Sequence, residues 1–144
     1  MEIEKTYQLK KDLLSVAYIL TNRGGTELRF KFIPRLDLSF PGEGESYLRI
    51  VKPGGEAKNA LSRAEGTIPH TAGVEFRDLK NEAVLTLESD RSFDAVIRSV
   101  RVPCPVYGRD VPFYQSTCVL PATAVVLKKE ASWKTEYRLK FSHR

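Results

Sequence analysis

The sequence predicts an all-β fold, an antiparallel β-sandwich, on three observations. Apolar and polar residues alternate with period two over Thr26–Phe40 and again over Trp133–Phe141, as in strands that bury one face. β-Branched and aromatic residues recur along the chain and favour a pleated surface. No segment carries the apolar stripe, repeating every three to four residues, that a stable helix needs. At 144 residues the chain is of one-domain size, and the whole of 1–144 is read as a single sandwich domain with a core of its own.

The elements follow in order. Ile3, Tyr7 and Leu9 against Glu4, Thr6, Gln8 and Lys10 predict a strand over 3–10, turned by Lys10-Lys11-Asp12. Residues 13–21 are apolar on both faces, which predicts a central strand covered on both sides. Asn22-Arg23-Gly24-Gly25 is a turn. Over 26–40 the even positions Leu28, Phe30, Phe32, Leu36, Leu38 and Phe40 form one buried face of a single long strand, with Pro34 at an edge or a bend.

Residues 41–73 are punctuated by glycine and proline. They hold a short strand over 46–51 and, over 56–65, one or two helical turns. Short strands follow at 74–76 and 82–88. Over 92–102 the apolar phase switches from Phe93, Ala95 and Ile97 to Val100 and Val102, the mark of a β-bulge near Arg98-Ser99. Pro121 divides a strand over 111–120 from one over 122–128, and 133–141 is the last strand, with Trp133 in the core.

Lys and Arg number 23 and Asp and Glu 18, for a net charge of +5. The basic residues are spread singly along the strands. A solvated surface fits that better than a nucleic-acid site, where basic charge concentrates on one face. The longest uncharged run, Ser116–Leu127, is interrupted by Pro121, so no membrane helix is expected. No signal peptide is visible, and a cytoplasmic protein is expected with Cys104 and Cys118 as two reduced, buried thiols. The two histidines, His70 and His143, have no partners at ligand spacing, so no metal and no cofactor is expected. Glu43, Glu45, Glu88, Asp90 and Asp94 are the acids from which a glycosidase pair could be assembled, although turn acids of this kind are ordinarily solvated.

One segment has the composition of a sugar site. Tyr107-Gly108-Arg109-Asp110 and Val111-Pro112-Phe113-Tyr114-Gln115 set aromatic rings beside donors and acceptors. A ring covers the apolar face of a pyranose while polar side chains meet its hydroxyls. Tyr107, Tyr114 and Gln115 are the candidate carbohydrate-binding residues. The alternative places Phe113 in the core and Tyr107 and Tyr114 at its edge, with wet hydroxyls.

Several stretches resemble one family. They are Glu4-Lys5-Thr6-Tyr7; Leu14-Ser15-Val16-Ala17-Tyr18 with Leu20-Thr21-Asn22-Arg23; Val74-Glu75-Phe76-Arg77-Asp78; Phe113-Tyr114-Gln115 with Val119-Leu120-Pro121; and Trp133-Lys134-Thr135-Glu136-Tyr137. Together the sequence resembles the C-terminal β-sandwich domain of the α-amylase and 4-α-glucanotransferase group of glycoside hydrolase family 57. The resemblance implies a galactose-mutarotase-like supersandwich. It also implies an accessory, non-catalytic domain that is a piece of a larger enzyme, with the catalytic barrel as partner and α-glucan as a further contact. The competing readings are a free-standing protein-interaction module and a basic nucleic-acid binder.

Overall fold

A computed structural model describes residues 1–42, 47–56 and 65–143. Among these the chain forms nine strands and no helix: β1 (Glu2–Lys10), β2 (Leu13–Thr21), β3 (Leu28–Phe32), β4 (Leu36–Leu38), β5 (Leu48–Val51), β6 (Gly66–Asp78), β7 (Ala83–Val106), β8 (Arg109–Leu127) and β9 (Ser132–His143). Every pairing is antiparallel. The order β1-β2-β9-β7-β6-β5 makes a broad layer. β8, with β3 and β4 along its far edge, makes a smaller one. β7 joins the two: Ala83–Ser89 pairs with β9, and Asp94–Val106 pairs with β8.

The core lies between these layers. Leu48, Ile50, Val74, Phe76, Leu85, Leu87, Phe93, Ala95, Ile97, Val119 and Tyr137 form its centre, closed by Phe32, Leu36, Leu38 and Phe40 from the smaller layer. A second cluster gathers Leu20, Val125 and Leu127 under Phe30, Phe32 and Trp133. The even face of 26–40 therefore packs inward as the alternation predicts.

The single long strand over 26–40 does not form. It divides into β3 and β4, both paired with β8, through Thr123–Leu127 and Thr117–Val119 respectively. Carrying the two registers inward sets Pro34 opposite Pro121. Neither residue has an N–H, so the ladder opens there and closes again beyond. For the same reason Pro121 does not split β8, which loses only the partner it could not have bonded.

Other expectations are corrected in the same way. β7 is one strand of 24 residues rather than two. The short strand at 74–76 is the end of β6, whose earlier part is masked in the sequence by irregular pairing around His70 and Thr71. His70 itself takes a left-handed φ of 46°. β2 is central in its sheet, but only its inner face, with Val16 and Leu20, is buried; Leu13, Ala17 and Ile19 are half-buried because no layer of the described residues covers the outer face. The helical turns expected over 56–65 fall almost wholly outside the described residues, as do Glu43 and Glu45. No helix among the described residues is long and apolar enough to cross a membrane.

Candidate functional site

The paired ends of β7 and β8 leave the sandwich as a two-stranded arm. Val106 pairs with Arg109, so Tyr107-Gly108 is a two-residue loop, with φ of 49° and 75°. Two positive φ values define the turn whose twist matches a β-hairpin. The arm's root carries a register shift. Val100 lies opposite Ser116 and Arg101 opposite Tyr114, which leaves Gln115 as the extra residue of a bulge. The bulge is in β8, not in β7 near Arg98-Ser99 as the phase switch suggested. The switch marks instead where β7 stops facing the core and becomes the arm.

Residues paired across an antiparallel ladder point to the same side. Val102 and Phe113, Cys104 and Val111, and Val106 and Arg109 therefore share one face, which continues the face of Val100 and Ser116. On that face, at the arm's root, Arg35, Asp37, Ser39, Val100, Gln115 and Ser116 line a groove of about 270 Å³. Arg35 forks onto Asp37, Nε to Oδ2 at 2.8 Å and Nη2 to Oδ1 at 3.1 Å. Burial, with the Asp37 carboxylate beside it, pushes the adjacent Cys118 thiol up, so it stays protonated at neutral pH. The groove thus offers a guanidinium–carboxylate pair, two serine hydroxyls and a carboxamide beside the Val100 side chain.

The three predicted sugar residues do not converge. Gln115 lines the groove. Tyr114 is on the opposite face of the ribbon, with its hydroxyl 2.8 Å from that of the fully buried Thr117. Tyr107 is wholly exposed at the arm's tip, about 20 Å from Gln115 at the usual rise per strand residue. Phe113, which the alternative reading assigned to the core, is 48% exposed and stands on the groove's face. Sequence reasoning missed it because β-alternation cannot show which face of a strand has a partner layer.

The cysteines are both free. Although their strands pair, Cys104 lies opposite Val111 and Cys118 opposite Arg98, so the register keeps them apart. Cys118 is buried, but Cys104 is only half-buried, correcting the expectation of two buried thiols.

The remaining acids are engaged structurally. Burial pushes the Asp90 carboxyl up, but the Glu136 amide, the Thr135 hydroxyl and the neighbouring Arg91 outweigh it and hold Asp90 below its ordinary value. It is an ionised strand-tie, not a proton donor at neutral pH. Asp94 accepts the His70 backbone N–H at 3.0 Å. Glu88 faces Arg138 across the β7–β9 ladder, at the edge of an open concavity of about 540 Å³ that also touches Lys52 and His70. Among the described residues no three His, Cys, Asp or Glu side chains gather as a metal site. Arg23, Arg29, Arg35, Arg77 and Arg101 are ion-paired with Glu2, Glu27, Asp37, Glu75 and Glu65, which breaks up the basic charge.

No protein-family profile and no curated protein matches the chain. Solved structures do. An Escherichia coli protein assigned as an aldose 1-epimerase superposes with a TM-score of 0.65 at 13% identity, over 99% of this chain and 60% of that one. The Slr1438 protein of Synechocystis superposes with a TM-score of 0.60 at 11% identity, over 99% of this chain and 55% of that one. The fold is a galactose-mutarotase-like β-sandwich. At these identities the likeness concerns the fold alone, and the chain spans only 55–60% of the length of the two proteins it matches.

Proposed function

We propose that this galactose-mutarotase-like sandwich is a non-catalytic accessory domain of an α-glucan-acting enzyme of the α-amylase or 4-α-glucanotransferase kind. In this reading it packs beside the catalytic barrel and contacts glucan through the groove at the arm's root. The observation that carries the reading is that the exposed Phe113 stands on the same face of the ribbon as the groove of Gln115, Ser116, Ser39 and the Arg35–Asp37 fork. A pyranose presents an apolar face and a rim of hydroxyls, and this face offers a surface for each. The aldose substrate in the assignment of the Escherichia coli relative is consistent with a fold suited to sugars.

One ring stacked on one sugar contributes about 1 kcal/mol, and with a few hydroxyl contacts the affinity is in the millimolar range. The test is an amide NMR titration with maltooligosaccharide. Shifts are expected to centre on Ser39, Phe113, Gln115 and Ser116. Phe113→Ala should weaken binding about fivefold, and Tyr107→Ala should leave it unchanged. Shifts centred on the arm's tip, or their absence at tens of millimolar sugar, would overturn the sugar contact.

A further inference from the structure

Sheet edges are treated unequally in this molecule. The arm's free edges are blocked. With a two-residue loop closing at Val106 and Arg109, the pairs that bond across the arm are Val102–Phe113, Cys104–Val111 and Val106–Arg109. Pro103, Pro105 and Pro112 fall on the alternate pairs, where an N–H would point outward. They cost no ladder bond and deny an incoming strand its donors. β5 has four residues and is soon followed by Pro53. The β3–β4 edge is cut at Pro34. β1 differs: nine residues without proline, glycine or bulge, paired among the described residues on one side only, with β2.

β1 also carries an uncovered stripe. Ile3, Tyr7 and Leu9 pair with Leu20, Val16 and Leu14, so they lie on the inner face of the broad layer. They overhang the smaller layer and remain 55%, 61% and 74% exposed.

We propose that β1 is a self-association edge, pairing antiparallel with β1 of a second copy about a two-fold axis at Thr6. The register follows from the backbone and the side chains together. The Phe141 N–H bonds to the Asp12 carbonyl and the Asn22 N–H to the Ala131 carbonyl, so the even residues of β2 bond to β9 and the odd ones to β1. Their partners in β1 are the even residues. The odd residues Ile3, Lys5, Tyr7 and Leu9 therefore aim their N–H and C=O groups outward. Only a register that sets odd opposite odd makes bonds.

The register centred on Thr6 satisfies this and uses the whole strand. Ile3 meets Leu9 of the second copy, Lys5 meets Tyr7, Glu4 meets Gln8, and Glu2 meets Lys10. Apolar residues face apolar ones, opposite charges meet, and Lys5, whose Nζ already lies 4.7 Å and 5.2 Å from the ring centres of its own Tyr7 and Tyr18, meets the Tyr7 ring of the second copy. A shift of one residue on each strand toward the N-terminus opposes Lys5 to Lys5; the same shift toward the C-terminus centres on Tyr7 and sets Lys5 against Leu9 and loses the Glu2–Lys10 pair. About eight backbone hydrogen bonds form in the favoured register, two for each outward-bonding pair. The two broad layers become one continuous sheet, and the interface is isologous, so assembly stops at two copies.

The test uses the full chain. Sedimentation between about 5 and 500 µM should show a monomer–dimer equilibrium. In a Cys104→Ser background, Thr6→Cys should cross-link into a dimer with copper phenanthroline, because Thr6 faces its own copy in a non-bonded pair with Cα atoms about 4.5 Å apart, within disulfide reach. Gln8→Cys, which would face Glu4, should not. Tyr7→Pro removes an outward N–H and no bond to β2, and should weaken dimerisation at least tenfold with an unchanged circular dichroism spectrum. If Tyr7→Pro loses the fold, the contrast between the two cysteine variants decides alone. A monomer at 500 µM leaves the edge to a strand of some other protein and overturns the proposal. So does a dimer in which Thr6→Cys fails to cross-link.

Discussion

Tyr137 sits at the centre of the core, 1% exposed, with its ring edge-on to Tyr18 at 6.2 Å and to Phe93 at 6.0 Å. Its hydroxyl is enclosed and has no hydrogen-bond partner among the described residues. Burial pushes its ionisation up to about 12, the nearby Thr123 side chain offsetting only part of that rise. An unpaired buried hydroxyl costs about 1–3 kcal/mol in lost solvation. Tyr137→Phe removes that cost, keeps both ring contacts, and leaves a void of one oxygen atom, worth about 0.3 kcal/mol at the usual cavity coefficient. The variant should be about 1 kcal/mol more stable, or about 3 °C in Tm for a chain of this size.

The sign of the pH dependence follows from the same burial. The unfolded chain ionises this phenol near 10 and the folded chain near 12, so between those values the unfolded state has lost the proton that the folded state retains. The stability contribution is complete below pH 10 and is lost as pH rises to about 12. Urea unfolding followed by Trp133 fluorescence at pH 7 and across pH 9.5–12 measures both effects. The variant should be more stable at pH 7 and should lose less stability above pH 10. A loss of 1 kcal/mol or more at pH 7 would refute the reasoning, since it would mean that the hydroxyl is paired after all.

Three further substitutions probe the turns. Asn22 is 1% exposed; its amide donates to the carbonyls of Thr26, Leu127 and Lys128 and its Oδ1 accepts the Gly24 N–H, so Asn22→Ala should cost about 2–3 kcal/mol in urea unfolding by leaving those groups unpaired. At the arm's tip Tyr107→Asn should stabilise the chain by about 0.5–1 kcal/mol, because asparagine tolerates the left-handed φ. Gly108→Ala should cost about 1 kcal/mol by calorimetry; an added Cβ would meet no atom within 4 Å, so the whole loss is conformational.

The residues that end β2 have structural roles in the same turn. Leu20 belongs to the second core cluster, and the Asn22 amide donates to the Leu127 and Lys128 carbonyls where β8 ends and to the Thr26 carbonyl within its own turn. A polar residue directly after an apolar strand is visible in the sequence; its hydrogen-bond partners more than a hundred residues away are not.

The sequence by itself determined the strand class, the inward face of 26–40 and of β9, and the positions of the turns after Lys10 and Thr21, because period-two alternation and turn chemistry are local properties of the chain. It also located the arm as an aromatic and polar segment. Tertiary structure decided the rest. Pro34 breaks its strand and Pro121 does not break β8, because the two prolines oppose each other across one ladder, a non-local fact. β7 reads as two strands because it leaves one layer for the other, and its apolar phase follows the layer that covers it. Ser116 shares a face with Phe113, three residues away, because a bulge displaces one residue of β8 at the arm's root. Period two assigns a side chain to a face, but only the packing of the layers decides whether that face meets the core, a groove or open solvent.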